Sequence, residues 1–250
     1  MRPLTLRRPK PLCPVGNVAL LDAALARARV VTPDLAVNVH HGRDQIEAHL
    51  AGQPHIYISI EAERALGTAG ALGRLRGWIS GRDVVVLNAD TWCDADITEG
   101  LLGWDRTRPR VVVTGEARFG PRARIVASAL PWSVVAELTE EPAELYDTTW
   151  RPAAAGGRLD VKGSNAMFFD CGTATSYLAA NLAVATGAGG SIIGARSRVS
   201  GSVESSVVGQ ACDVEGEVTR SVLWDGTTVA PMELLDGAIR VSPTMTVLVR

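Results

Sequence analysis

The chain has 250 residues, of which 46% are hydrophobic and 21% charged, and its formal net charge is −2 at pH 7. This composition is typical of one large soluble globular domain, or of one domain with a small appendage. It excludes a global basic surface for nucleic acid or anionic lipid, and no apolar run reaches the about 18 residues of a membrane span. Four scattered cysteines without CxxC spacing predict neither a disulfide framework nor a zinc site, so we expect a cytoplasmic protein.

The amino-terminal segment places a lysine on a proline-rich frame. Pro9, Pro11 and Pro14 argue against a helix and predict a stiff, extended segment. Lys10 stands between two of these prolines. The segment is either a solvated basic tail or a frame that directs Lys10 at a phosphate group.

Helices and strands alternate from residue 20 onward. Apolar periodicity predicts helices at 20–28, 43–51 and 70–79, and strands at 35–41, 56–61 and 84–90. Further apolar segments follow at 111–114, 123–130 and 134–139. This order predicts an α/β fold with a mostly parallel, doubly wound, Rossmann-like sheet.

Two loops of this pattern carry candidate binding groups. Asp90 follows the apolar run Val84-Val-Val-Leu87, which predicts a strand buried on both faces, and open α/β sheets bind ligands at the carboxyl ends of their strands. The alternative is that Asp90 caps the next turn. Gly67 and Gly70 precede a helix and would let the backbone approach a ligand, near unpaired N–H groups of that helix. Glycines of this kind also occur in any tight turn between a strand and a helix.

From residue 191 the sequence repeats at a constant step. Ser191-Ile-Ile-Gly, Ser206-Val-Val-Gly and Ser221-Val-Leu-Trp begin successive repeats, and apolar residues recur six positions apart within them. A six-residue step is typical of a hexapeptide β-helix. We therefore expect a short left-handed β-helix of three coils, with Ile193, Val208 and Leu223 stacked in its interior.

Four strings together resemble the sugar-phosphate nucleotidylyltransferases, and in part the mannose-1-phosphate guanylyltransferases. They are Arg2-Pro-Leu-Thr5 with Pro9-Lys-Pro-Leu-Cys-Pro-Val15, Ser59-Ile-Glu61 with Leu66-Gly-Thr-Ala-Gly70, Asn88-Ala-Asp90, and Phe169-Asp-Cys-Gly-Thr173 before a Tyr-Leu-x-Ala-Asn helix. The resemblance implies a nucleotide-diphospho-sugar transferase type of fold, with a catalytic domain at 1–184 and the β-helix at 185–250. The strand and glycine-rich loop that precede the arginine in the family are absent before Met1, so we expect a shortened form of a working enzyme.

The resemblance also implies roles for individual residues. Lys10 and Arg2 would be catalytic, with Lys10 on phosphate groups. Asp90 and Asp170 would hold Mg²⁺, which usually takes one or two carboxylates together with phosphate oxygens and water; the alternative for Asp170 is a helix cap. The nucleotide would be bound by Glu61, Gly67, Thr68, Ala69 and Gly70.

The implied reaction joins an NTP and a sugar 1-phosphate into a nucleotide-sugar and releases pyrophosphate. The strings favour GTP with mannose 1-phosphate, and glucose 1-phosphate with UTP or dTTP comes next. The rival hypothesis is a non-catalytic relative that binds a nucleotide-sugar or a partner enzyme. An acyltransferase is disfavoured, because three coils with no histidine in 191–250 offer little for such a site. We expect no nucleic-acid or membrane partner, and a homo-oligomer is possible.

Overall fold

The structure is a computed structural model that describes residues 1–249. Two short 3₁₀ turns open the chain at Leu4–Leu6 and Lys10–Leu12, and a π-helical turn lies at Tyr146–Trp150. The α-helices of the described residues are α1 (Leu20–Arg29), α2 (Arg43–Leu50), α3 (Gly67–Ile79), α4 (Ile97–Leu101), α5 (Trp132–Val135), α6 (Arg151–Ala155) and α7 (Ala174–Gly187). Within residues 1–249, no helix combines the length and the apolar character needed to cross a membrane.

Ten strands come before residue 171, and eleven follow within the described residues. The first group is β1 (Pro14–Val15), β2 (Val18–Ala19), β3 (Leu35–Val39), β4 (Ile56–Ile60), β5 (Val84–Val86), β6 (Thr91–Cys93), β7 (Arg110–Thr114), β8 (Ile125–Leu130), β9 (Asp160–Ser164) and β10 (Phe168–Asp170). The second group is β11 (Ile192–Ile193), β12 (Arg198–Val199), β13 (Ser202–Glu204), β14 (Val207–Val208), β15 (Asp213–Val214), β16 (Glu217–Thr219), β17 (Val222–Leu223), β18 (Thr228–Val229), β19 (Leu234–Asp236), β20 (Ala238–Ser242) and β21 (Met245–Leu248).

The chain divides into two compact units. The first, which we call the coil unit, contains Met1–Ala23, Ala89–Trp92 and the residues from Phe169 onward. The second, which we call the sheet unit, contains Ala24–Asn88 and Cys93–Phe168. This division differs from the predicted boundary at 184, because the amino-terminal segment packs in one core with α7 and the coils. Residue 250, the last of the predicted β-helix domain, lies outside the described residues.

The sheet unit has the helices and strands of an α/β fold. Strand β3 pairs in parallel with β4, and β7 pairs in parallel with β9. Strand β8 lies between β5 and β7 and is antiparallel to both. The parallel pairs follow from the predicted alternation, whereas the antiparallel insertion of β8 was not predicted.

The strand predicted at 84–90 is shorter than expected, and Asp90 does not lie at its carboxyl end. Residues Val84–Val86 form β5, Asp90 lies in a turn, and Thr91–Cys93 form the separate strand β6. The expectation that this strand is buried on both faces is also wrong, since all three β5 residues are partly exposed. Among the described residues β5 has a strand neighbour on one edge only. Apolar composition alone therefore overstated its burial.

The coil unit contains three parallel ladders that follow the predicted repeat. The ladders are β11-β14-β17, β12-β15-β18 and β13-β16-β19, and the first aligns Ile193 with Val208 and Val208 with Leu223. Hydroxyl groups also stack between coils: the Ser206 amide donates to Ser191 Oγ at 3.2 Å, and the Ser221 amide to Ser206 Oγ at 3.0 Å. The step of the repeat is thus confirmed, and the left-handed sense of the coil stays a prediction.

The interior of the coils agrees with two of the three predicted positions. Val208 is fully buried and Leu223 is 1% exposed, but Ile193 is 45% exposed, so its predicted burial is wrong. The physical reason is its place in the first coil, where no further coil covers it. At the other end of the stack, β20 continues the first ladder and turns back into β21.

Candidate functional site

Lys10 lies on a short turn and not on an extended segment. The 3₁₀ turn Lys10–Leu12 begins at this lysine and places Pro11 in its first residues, where the missing N–H of proline costs nothing. The expectation that the prolines exclude helical structure here is wrong for this one turn. Leu12 and Cys13 are buried behind the lysine, so the turn presents Lys10 from a fixed base.

Helix α7 and the third coil hold this base. Tyr177 and Asn181, one helical turn apart on the same face of α7, both reach the segment after Lys10. The Tyr177 hydroxyl donates to the Pro14 carbonyl, and the Gly16 amide donates to Asn181 Oδ1 at 3.0 Å. Trp224 donates its indole N–H to the Tyr177 hydroxyl at 3.0 Å. The Tyr-Leu-x-Ala-Asn string indicated the helix, but no pattern in the sequence indicated these contacts.

The side chain of Lys10 joins the two predicted metal ligands. Its Nζ donates to Asp90 Oδ2 at 2.7 Å and lies 3.5 Å from Asp170 Oδ1. The two carboxylate oxygens can be no farther apart than the sum of these two distances. This sum is below about 8 Å, the separation within which two carboxylates could share one Mg²⁺. The two carboxylates therefore lie close enough to share one ion, and the metal site that the resemblance implies stays a prediction. Asp90 directly precedes β6, Asp170 ends β10, and β6 pairs with β10.

The donor set of this cluster suits a hard cation that shares its ligands with a substrate. The side chains of Asp90 and Asp170 are 45% and 72% exposed, which leaves room for phosphate oxygens and water. Across residues 1–249, no three His, Cys, Asp or Glu side chains come together as a metal-holding group. Two carboxylates alone match the way Mg²⁺ is bound beside phosphates, and they do not form a closed metal cage.

Two buried cysteines flank the cluster and remain neutral. Burial raises the pKa of the Cys13 thiol to about 12 and that of Cys171 to about 11. Thiols with such pKa values carry no negative charge at neutral pH and are poor nucleophiles. The charges of the cluster are therefore those of Lys10 and the two carboxylates.

Arg2, the second predicted catalytic residue, is not part of this cluster. Arg2 is exposed, and its side chain makes no hydrogen bond or ion pair within residues 1–249. Beside it, the terminal ammonium of Met1 donates a hydrogen bond to the Gly172 carbonyl at 2.7 Å.

The predicted nucleotide-binding residues lie in the sheet unit, and the first of them is occupied internally. Glu61 is 4% exposed. Its carboxylate accepts from the Asn38 amide group at 3.0 Å and from the Leu66 backbone N–H at 2.9 Å. Glu61 therefore holds the loop between β4 and α3 in place, and its carboxylate is not directed at solvent.

The N–H groups at the start of α3 are also occupied. The helix begins at Gly67 and not at the predicted residue 70. The Thr68 N–H and hydroxyl donate to Glu144 Oε2 at 3.2 and 2.8 Å, and the Ala69 N–H donates to the Ala143 carbonyl at 2.9 Å. The Gly70 N–H also points to this carbonyl, at 3.4 Å. The expectation of unpaired N–H groups is therefore wrong for residues 68–70.

The glycines serve the same packing. A Cβ at Gly70 would lie 2.4 Å from the Glu141 carbonyl oxygen, and one at Gly67 would lie 2.6 Å from that of Ala143. Gly67 also has a φ of +67°, which disfavours other residues. The close approach that these glycines permit is made by the backbone of residues 141–143 of the chain itself.

A cleft of about 370 Å³ opens beside this segment in the sheet unit. This volume is within the range of small-molecule sites. Two exposed ion pairs, Arg64 with Glu141 and Arg74 with Glu140, contribute to its walls. Its lining residues are Glu61, Ala62, Glu63, Arg64, Leu66, Arg74, Glu140 and Glu141. No sequence pattern indicated the two arginines, because residues 140–141 are distant from them in the chain.

The first part of the chain matches a known protein family. Residues 1–115 match the family described as "Nucleotidyl transferase". This match, together with the names of the curated relatives below, confirms the resemblance of the chain to the sugar-phosphate nucleotidyltransferases.

Two curated relatives match part of the chain. N-acetylmuramate alpha-1-phosphate uridylyltransferase of Caulobacter vibrioides is 36% identical over 119 residues, covering 43% of this chain and 49% of that protein. Mannose-1-phosphate guanylyltransferase of Mycobacterium tuberculosis is 29% identical over 128 residues, covering 49% of this chain and 35% of that protein. The matched region thus spans about half of the first relative and less of the second.

Solved structures show the same fold at low identity. A putative glucose-1-phosphate thymidylyltransferase from Bacillus anthracis superposes with a TM-score of 0.63 at 17% identity, over 74% of this chain and 89% of that one. HddC from Yersinia pseudotuberculosis, complexed with GMP-PN, gives 0.55 at 15% identity, over 70% and 90%. The α/β fold class is therefore confirmed.

Proposed function

We propose that this chain transfers a nucleotidyl group from an NTP to a sugar 1-phosphate. The observation that carries the proposal is the cluster of Lys10, Asp90 and Asp170, since an ammonium and two carboxylates on a fixed base suit phosphate chemistry. A phosphate oxygen of the sugar 1-phosphate attacks the α-phosphorus of the NTP, the bond to the β-phosphate oxygen breaks, and pyrophosphate leaves. Such a reaction depends on positioning and charge neutralisation and needs no covalent intermediate.

The residues of the cluster have distinct tasks in this proposal. Asp90 and Asp170 would hold Mg²⁺, which when bound neutralises phosphate charge. Lys10, which contacts both carboxylates, would donate to a phosphate oxygen of the NTP. Its turn is held by Tyr177 and Asn181, so the ammonium is already placed before the substrate arrives. Cys13 and Cys171 stay neutral and add no negative charge that would repel the phosphates.

Within the sheet unit, the cleft beside the Glu61–Leu66 loop is the place that we propose for a base and ribose. The volume of the cleft supports this assignment, and so does its place in the segment that resembles the family's nucleotide-binding element. The contacts of residues 68–70 with Ala143 and Glu144 mean that these N–H groups bind a ligand only after the 143–144 segment moves away. In the present arrangement the cleft walls supply the binding groups.

The identity of the base and the sugar is the finer part of the proposal. We keep GTP with mannose 1-phosphate as the first pair, from the strings in the sequence. Glucose 1-phosphate with UTP or dTTP comes next, and the name of the Caulobacter vibrioides relative adds UTP with N-acetylmuramate α-1-phosphate as a further pair.

A matrix of four NTPs against several sugar 1-phosphates, read by pyrophosphate release with and without Mg²⁺, tests the proposal. Replacing Lys10 with Ala, or Asp90 or Asp170 with Asn, should lower kcat about 100-fold, which is typical for the loss of one charge-stabilising group. Asp213→Asn, an exposed carboxylate in the coil unit, is the matched control and should keep full activity. Activity that survives in all three cluster variants would contradict the assignment of the site.

The occupied N–H groups at α3 favour one second candidate, a relative that binds a nucleotide-sugar without turning it over. In that case calorimetry would detect nucleotide or nucleotide-sugar binding, while no pair in the matrix released pyrophosphate. Pyrophosphate release from any pair excludes it.

A further inference from the structure

The two ends of the coil stack are built differently. At the last coil, β20 and β21 continue the first ladder, and Arg240, only 8% exposed, reaches across. Its guanidinium donates to the Thr228 carbonyl at 2.7 Å and pairs with Glu233. This end therefore carries a cap. At the first coil, β11, β12 and β13 each form the outer strand of their ladder.

The first coil has the same inward pattern as the buried coils but is not covered. Ile193 and Val199 align with Val208 and Val214 of the second coil. The second-coil residues are fully buried, whereas Ile193 is 45% and Val199 is 41% exposed. Val203, the third inward residue of the first coil, is partly buried. The apolar interior of the stack thus reaches the surface at this end.

Such an end is unfavourable in isolation. An outer strand exposes unpaired N–H and C=O groups that can pair with another chain, and stacked repeats usually end in a polar cap. Here three outer strands and two aliphatic side chains lie together at one end. We define these elements, β11 to β13, as the open end of the stack.

Charged residues at the rim of the open end indicate what covers it. Arg196 and Arg198 lie at one side, on and before β12, and Glu204 lies at the other, on β13. All three are exposed, and none makes an ion pair within residues 1–249. The open end therefore offers both a basic and an acidic side, as a self-complementary surface does.

We propose that a second copy of this chain docks on the open end around a two-fold axis. With the axis passing between the two β11 strands, β11 faces its own counterpart, and β12 of one copy faces β13 of the other. This arrangement covers Ile193 and Val199 in both copies. It also brings Arg198 of each copy near Glu204 of the other, in two equivalent pairs.

Sedimentation velocity of the full chain over a wide range of protein concentration tests the proposal, and wild type should form dimers. Ile193→Asp places a charge at the centre of the interface and should raise the dimer dissociation constant about 100-fold. Leu234→Lys is the control, because this residue is 69% exposed on β19 but aligns with outward positions of the stack. It should leave the dimer unchanged.

A charge exchange identifies the geometry. Arg198→Glu should weaken the dimer about tenfold by placing like charges together, and Glu204→Arg should do the same. The double variant with both changes restores opposite charges and should dimerise like wild type. Circular dichroism of each variant checks that the coils stay folded. A monomeric wild type, an undisturbed dimer in Ile193→Asp, or a double variant weaker than both single variants would each overturn the proposal.

Discussion

Removing the Tyr177 hydroxyl should loosen the base on which Lys10 lies. Tyr177 is fully buried, and its hydroxyl donates to the Pro14 carbonyl while accepting from the Trp224 indole N–H. Tyr177→Phe keeps the ring and its packing but leaves the indole N–H without a partner. The Pro14 carbonyl keeps only the Asn181 amide group at 3.5 Å.

The expected cost follows from these contacts. Trp224 is 3% exposed, so its N–H cannot turn to water, and an unsatisfied buried donor costs about 1–3 kcal/mol. The weakened bond at Pro14 adds about 1 kcal/mol, the typical net value of one hydrogen bond. We therefore expect Tyr177→Phe to lower the free energy of unfolding by about 3 kcal/mol.

Urea denaturation of four proteins measures this and separates the hydrogen bond from general packing. Wild type, Tyr177→Phe, Trp224→Phe and the double variant form a double-mutant cycle. Because the two side chains share one hydrogen bond, the double variant should lose about 1–2 kcal/mol less than the two single losses combined. A cost of Tyr177→Phe below about 0.5 kcal/mol, or single losses that simply add, would refute the reasoning.

Two further changes have expected outcomes that the structure fixes. Gly73→Ala should lower the free energy of unfolding, measured in urea, by about 2–3 kcal/mol, because its Cβ would lie 2.1 Å from the Thr139 carbonyl oxygen. Gly77→Ala in the same helix is the control: its Cβ would meet nothing within 4 Å, and it should raise the free energy of unfolding by about 0.5–1 kcal/mol. Equal effects of the two changes would contradict this packing. Glu233 accepts hydrogen bonds from Arg240, which lowers the pKa of its carboxyl below the ordinary 4.5. The stability it contributes is therefore present above that value and is lost as pH falls through the lowered pKa. Glu233→Gln should melt earlier than wild type at pH 7, and the difference should shrink as pH falls below 4.5. A constant difference over the whole pH series would count against the ion pair.

Local sequence signals predicted the step of the coil repeat. The step of the repeat and the burial of Val208 and Leu223 follow from periodicity, because each inward side chain must stack on the next coil. Asp90 and Asp170 could be paired because a family resemblance supplied their shared role. Periodicity alone gave no reason to place these two aspartates, which are distant in the chain, side by side.

The sequence did not predict which residues are covered by neighbouring segments in the folded structure. Ile193 has the same local pattern as Val208, yet it is exposed, because burial depends on a neighbouring coil and not on the residue itself. The N–H groups of Thr68 and Ala69 were predicted to be free, as the sequence around them suggests. They are occupied because Ala143 and Glu144, from a distant part of the chain, pack against the start of α3. Periodicity and turn residues act locally, so the sequence predicted most helices and strands and the coil repeat, but not the early end of β5 or the turn at Lys10. Which polar groups find a partner depends on packing between segments that are distant in the chain, and this follows only from the folded structure.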